Sequence, residues 1–241
     1  MKHSGKIALL VAIIGAVVAA LMLFGARLGL WEPITGFGLY RTYFNPLALI
    51  VAGVGLLALV IHLVRKEKAQ AMQGGVVALV GVALLIPMIS STLNPAPRAA
   101  PIHDISTETV NPPLFEVLDD TRAGARNTLE YGGPELAEAQ AAAYPDIAPL
   151  ETNLPADEAY KRALTVAQNM GWEIVASDAE RLRFEATART SVFYFADDVV
   201  VVVKPLEDGS RVDMRSVSRV GRSDQGVNAA RIRDFQEQFR N

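Results

Sequence analysis

The chain has 241 residues, enough for one or two domains, with 51% hydrophobic residues and a formal net charge of −3. It contains no cysteine, which excludes disulfides, Cys-ligated zinc and iron–sulfur centres. The charge is unevenly placed: residues 1–93 carry seven Lys/Arg against two acids, while residues 94–241 carry 16 against 24, and that net −8 argues against nucleic acid, whose binding rests on phosphate neutralisation.

Ile7–Phe24 is an uncharged run of 18 residues, about 27 Å as a helix and so close to a hydrocarbon core. Lys2 and Lys6 precede it, so a signal peptide is the competing reading. The length of the run and the poor cleavage site at Gly25-Ala26-Arg27 favour a retained span. Leu47–Val64 and Gly74–Ile89, the latter extended by Ser90–Leu93, are two further runs, so residues 1–93 are expected to form a three-helix transmembrane anchor. Lys2, Lys6, Arg65, Lys66 and Lys68 fall on one side of these spans, against Arg27 and Arg41 on the other. Positive charge stays in the cytoplasm, so the amino terminus is expected inside and the carboxy-terminal domain in the periplasm of a bacterial inner membrane. Trp31, Tyr40, Tyr43 and Phe44 would then form an aromatic belt at the outer interface.

Ala12, Ala16 and Ala20, Ala48 and Ala52, and Gly53, Gly55, Gly74, Gly75 and Gly81 are small residues that let helices approach closely in lipid. The expectation is that the three helices pack on one another, with a partner protein or a homo-oligomer as the alternative. His62, one turn before Arg65, is expected at an interface and not in a proton relay. Pro87 is expected to kink or end the third helix.

Residues 94–115 hold five prolines and read as an extended stalk. Within it His103-Asp104 invites a metal or catalytic reading. The other two histidines lie in the membrane part, so a histidine cluster is out of reach and a local hydrogen bond is the plainer account.

Residues 116–241 predict a periplasmic α+β domain. Leu118–Ala143 reads as a loop and one short helix broken by Gly132-Gly133-Pro134, and Tyr144–Thr152 as a short extended piece. Pro155–Met170 predicts a helix: Asp157 and Glu158 suit its first turn, Ala159, Ala163, Val166, Ala167 and Met170 share one face, and Gly171 ends it. Trp172–Ala176 and Leu182–Thr187 alternate as strands, with Ser191–Phe195 an extension or a new strand. Val199–Val203 reads as a central strand buried on both faces. Glu207–Ser210 is a hairpin turn, Arg211–Val220 the last strand, and Asp224–Arg240 a closing helix with Ala229, Ile232, Phe235 and Phe239 as its apolar stripe. The sum is an antiparallel sheet of four to five strands packed by two helices.

The last strand and the start of that helix form the densest polar block. Alternation puts Val212, Met214, Ser216, Ser218 and Val220 on one face and Arg211, Asp213, Arg215, Val217 and Arg219 on the other. Gly221 permits a turn from which Arg222 projects, and Ser223-Asp224-Gln225-Gly226 opens the helix. Residues 204–241 carry eight Lys/Arg against six acids, while residues 94–203 carry eight against eighteen. Arg215, Ser216, Ser218, Arg219, Arg222, Ser223, Asp224, Asn228 and Arg231 are therefore the candidate anion-binding residues, since guanidinium groups and free helix N–H groups take phosphates or carboxylates. The plainer account is that Asp213, Asp224 and Asp234 pair with these arginines and that Ser223 or Asp224 caps the helix. Arg-Ser-Asp-Gln-Gly lacks the ending of a nucleotide P-loop.

At DMRSVSRVGRSDQGVNAARIRDF (213–235), IHDISTETVNPPLF (102–115), MGWEI (170–174) and DDVVVVV (197–203) the chain resembles the bacterial and plastid family catalogued as domain of unknown function 1499. Members often carry membrane helices ahead of the domain. The resemblance implies no catalytic residue.

The expected function is non-enzymatic: a membrane-anchored domain whose partners are the lipid membrane, an anionic lipid or phosphate, and a membrane-protein complex or a second copy, with no cofactor or metal. The alternative is a hydrolase using Ser216, Ser218 or Ser223 with Asp224 or His103, although no Gly-x-Ser-x-Gly elbow occurs. A transporter is disfavoured because no span carries an embedded acid.

Overall fold

The computed structural model describes residues 4–95 and 99–241. Met1–His3 and Ala96–Arg98 fall outside them, and with them Lys2 of the charge argument and the start of the expected stalk. The chain divides into two compact units, Met1–Pro97 with Ser191–Tyr194, and Arg98–Thr190 with Phe195–Asn241.

The first unit is built on three helices, α1 (Ser4–Phe24), α2 (Pro33–Val64) and α3 (Lys68–Leu93). Each is long and apolar enough to cross a membrane, with windows of mean hydropathy 3.0, 2.8 and 2.3. The second starts well before the predicted run at Leu47. Pro33 suits its first turn, and Pro46 is accommodated inside it. Its 32 residues make a rod of about 48 Å, longer than a hydrocarbon core of about 30 Å. Phe44 is consequently no belt residue: it is 5% exposed and packs with Ala19 and Met22. Pro87 does not end α3, which continues to Leu93.

Glycine sets how closely α2 and α3 approach. A Cβ on Gly55 would lie 2.2 Å from the Ala78 nitrogen, on Gly74 2.4 Å from that of Leu59, and on Gly81 2.2 Å from that of Ala52, so any larger residue would push the helices apart. On α1 the buried line is Ala8, Ala12, Gly15 and Ala19; Ala16 and Ala20 point away from it. A strict four-residue spacing drifts around a helix of 3.6 residues per turn, whereas alternating threes and fours keep to one face. His62, 1% exposed, places Nδ1 2.5 Å from the carboxylate of Glu67, the N-cap of α3, and so ties the α2–α3 turn.

The second unit is α+β. Its strands are β1 (Asp104–Ser106), β2 (Leu150–Thr152), β3 (Glu173–Asp178), β4 (Arg183–Arg189), β5 (Ala196–Leu206) and β6 (Gly209–Ser218), and its helices α4 (Gly133–Ala143), α5 (Ala156–Asn169) and α6 (Val227–Arg240). All pairings are antiparallel, in the order β1-β6-β5-β4-β3. β1 opposes residues 215–217 of β6 and β2 opposes 210–212, so two short strands share the edge that β5 leaves open. Part of the expected stalk is thus sheet, with Ile105 fully buried. Its outer edge is closed by Gln140 of α4, whose amide accepts from the Ser106 N–H at 2.9 Å and donates to the Ser106 carbonyl at 2.6 Å, as a neighbouring strand would. Ser191–Phe195 is no strand: Thr190 N–H donates to the Phe195 carbonyl across a turn.

The two faces differ in chemistry. Phe184, Ala186, Val199, Val201, Val212, Met214 and Ile105 face α5 and α6 and join Ala159, Ala163, Ala167, Ile232 and Phe235 in the core, with Trp172 stacked on Phe235 at 5.5 Å. Register puts Asp104, Ser106, Glu185, Thr187, Asp198, Asp213 and Arg215 on the opposite face, and all seven are buried. What covers them is the long irregular segment 107–131 between β1 and α4.

Candidate functional site

Burying a polar sheet face is unfavourable unless every group finds a partner. Here the covering segment supplies them from its backbone. The Glu185 carboxylate accepts N–H bonds from Glu116 (2.6 Å), Val117 (3.1 and 3.2 Å) and Leu118 (2.7 Å). Arg183 donates to the Leu114 carbonyl at 2.6 Å and to Glu185 at 2.9 Å. Arg122, from the segment itself, reaches Asp198 at 2.5 Å and caps the carbonyls of Asp119 and Asn127.

Arg215 lies at the centre with no solvent exposure. It grips Asp104 with two bonds, Nε to Oδ1 at 2.9 Å and Nη2 to Oδ2 at 2.7 Å. Its other N–H groups go to the carbonyls of Pro113 (3.3 Å) and Leu129 (2.8 Å), and it lies 5.5 Å from the ring of Phe115 and 5.1 Å from that of Tyr131. Burial, with the nearby Asp104 charge, pushes the Tyr131 hydroxyl up. Arg219 is held by Asp198 at 2.7 Å and donates to the Ala123 carbonyl at 2.9 Å.

On the helix-covered face a second network closes on itself. Arg231 reaches Asp197 at 2.5 Å, Ser216 Oγ at 3.0 Å and the Asn228 side-chain oxygen. Ser216 donates to that same oxygen at 2.8 Å, Asn228 Nδ2 donates to Ser218 Oγ at 3.0 Å and to the His103 carbonyl at 2.9 Å, and Ser218 bonds Asp197. Burial pushes the Asp197 carboxyl up, against the pull of Arg231. The start of α6 carries its own anion: Asp224 accepts from the N–H groups of Gly226 (3.0 Å) and Asn228 (2.7 Å). Ser223 donates to the Ala100 carbonyl at 2.7 Å.

Of the nine residues singled out from sequence, eight are therefore committed to bonds within the fold. Their carboxylates are Asp104, Asp197 and Asp198, far off in sequence, and not the local Asp213 or Asp234. Asp213 pairs with Arg211 and Lys204, each at 2.8 Å. The ninth, Arg222, is exposed, and its guanidinium makes no bond among the described residues.

The same holds for Arg126, which no sequence motif singles out. Its backbone meets the 219–222 turn: the N–H groups of Arg126 and Asn127 donate to the Arg219 carbonyl at 2.7 and 3.0 Å, and the Asn127 side chain donates to the carbonyls of Ser218 (2.8 Å) and Gly221 (2.9 Å). Beneath this rim two guanidinium groups, Arg122 and Arg219, share the one buried carboxylate of Asp198. Asp120, 3.2 Å from Arg122 Nη1, supplies a second acid, so among the described residues the exposed Arg126 and Arg222 are the guanidinium groups of this rim left without a carboxylate.

A family model described as a protein of unknown function, DUF1499, matches residues 104–239. The chain belongs to that family. No curated protein matches it. The match begins at β1 and ends inside α6, so the DUF1499 region takes in all six strands, and with them both polar networks.

His103, one residue before the DUF1499 region, continues the β1–β6 register opposite Ser218, whose N–H donates to its carbonyl at 2.9 Å. The Ser218 hydroxyl is taken by Asn228 and Asp197.

Proposed function

We propose that this DUF1499 protein is a membrane-anchored, non-enzymatic binding module, carried on the periplasmic side of a bacterial inner membrane by its three apolar helices. The conserving of shape is the task of the buried Arg–Asp networks, and binding falls to the exposed rim above them, where Arg126 and Arg222 take an anionic group. The observation that carries this is the pair of exposed guanidinium groups: those of Arg126 and Arg222 bond nothing among the described residues, while Arg122 and Arg219 beneath them are matched by Asp120 and Asp198, so an anion at the rim would meet two uncompensated positive charges. The hydrolase alternative is weakened by the engagement of Ser216, Ser218 and Ser223 in bonds to Asn228, Asp197 and the Ala100 carbonyl.

The test is titration of the full chain, purified in a neutral detergent, with glycerol phosphate. Arg126→Ala/Arg222→Ala is expected to weaken binding at least about tenfold while leaving the unfolding midpoint unchanged, since both side chains are exposed. Arg219→Ala is expected to lower the midpoint instead. Parental affinity in the folded double variant would refute the assignment.

A further inference from the structure

The rim has a further property, which deepens the preceding proposal and depends on it. The chain enters the domain at this same end: the Ala100 carbonyl accepts from Ser223, the Ile102 carbonyl from the Asp224 N–H at 3.1 Å, and the His103 carbonyl from the Ser218 N–H at 2.9 Å. The domain thus begins, at Ala100, beside the turn that bears Arg222, with six residues between it and the end of α3. A tether of six residues keeps whatever it joins at millimolar or higher effective concentration. For a domain joined to membrane-length helices, the surface presented at that concentration is the phospholipid headgroup layer.

We propose that Arg126 and Arg222 rest on anionic phospholipid headgroups of the membrane that anchors the chain. The two side chains suit that partner better than a closed pocket would. They project from two loops clamped to each other by Asn127, so their backbone is fixed, while the guanidinium groups stay exposed and can meet phosphates spread over a plane. The acidic remainder of the domain would be repelled by the same surface, which orients it with the rim toward lipid.

The experiment compares the full chain in nanodiscs of phosphatidylcholine alone with discs containing one-third phosphatidylglycerol, read by amide hydrogen exchange in residues 122–127 and 219–225. The expected result is slower exchange in the anionic discs, by up to about thirtyfold for two arginines at a charged surface. The slowing should vanish in Arg126→Gln/Arg222→Gln and at about 1 M salt, where the screening length is about 3 Å. Equal exchange in both discs, with the rim protected instead by added glycerol phosphate, would overturn the headgroup assignment and leave the anion-binding proposal standing. Equal exchange with no response to glycerol phosphate would overturn both.

Discussion

Replacing Arg215 by alanine would remove the side chain on which the covered sheet face depends. The substitution leaves the Asp104 carboxylate, 4% exposed, without its two guanidinium bonds, and strips donors from the carbonyls of Pro113 and Leu129. A buried charge robbed of its partner costs about 3–5 kcal/mol, and an unmet carbonyl about 1 kcal/mol more. With two such carbonyls the expected loss is about 5–7 kcal/mol, against a total stability of about 5–15 kcal/mol for an ordinary domain. The assay is urea unfolding of the full chain in micelles, followed by the fluorescence of Trp172, which is buried on Phe235, in a Trp31→Phe background that silences the other tryptophan. Asp104→Leu/Arg215→Met removes both charges and should recover at least about 2 kcal/mol of the loss, because an apolar pair of similar volume can replace a buried ion pair. A loss below about 1 kcal/mol for Arg215→Ala, or a double variant no more stable than the single one, would show that the pair does not hold the segment.

Other perturbations test neighbouring joints. Glu185→Ala frees the N–H groups of residues 116–118, so limited proteolysis should cut within 107–131 at rates at least tenfold above the parent; unchanged cleavage would show that the segment is held elsewhere. Glu108, Asp119 and Asp120 are held below their ordinary values of 4.5, 3.8 and 3.8: backbone N–H bonds from Val110 and Leu129 lead for Glu108 and Asp120, and the Thr121 hydroxyl leads for Asp119. Their contribution is complete above those values and fades as pH falls through the depressed ones, so the covering segment should loosen below about pH 4, while Asp197, shifted the other way, offsets part of the loss. Exchange in 107–131 that is independent of pH after correction for intrinsic rates would contradict this. Gly81→Val brings a Cβ to 2.2 Å from the Ala52 nitrogen and should lower the thermal midpoint of the helical bundle by several degrees in detergent; an unchanged midpoint would mean that α2 and α3 do not pack closely there.

How far the sequence reached depended on whether a signal was local. Helix α5 is legible from end to end, because its cap residues, its apolar spacing and Gly171, which adopts φ 74°, all lie within 17 residues. The five-valine strand was equally plain, and it is central. Strand β1 was hidden: three residues among prolines form a strand only because β6 and Gln140 flank them from afar. The apolar window marks only the second half of α2, because Arg41, Pro46 and the aromatic residues interrupt it, although the helical backbone tolerates them all. Spacing points to the arginines but not to their partners. A carboxylate 111 residues from its guanidinium leaves no trace in spacing, so the local acids looked like the natural mates. Arg126 lies in a stretch without periodicity, and only the turn clamped by Asn127 gives it meaning.

Strand β6 is the mate of β1, β2 and β5, and it is the last strand the ribosome makes. Until it emerges, β1 and β2 have nothing to pair with and β5 presents a bare edge. Such distant pairings make assembly slow, and an uncovered edge invites another chain to bind it. A message truncated before Gly209 should therefore yield no partial domain but a sticky fragment, a natural substrate for holdase chaperones and proteases.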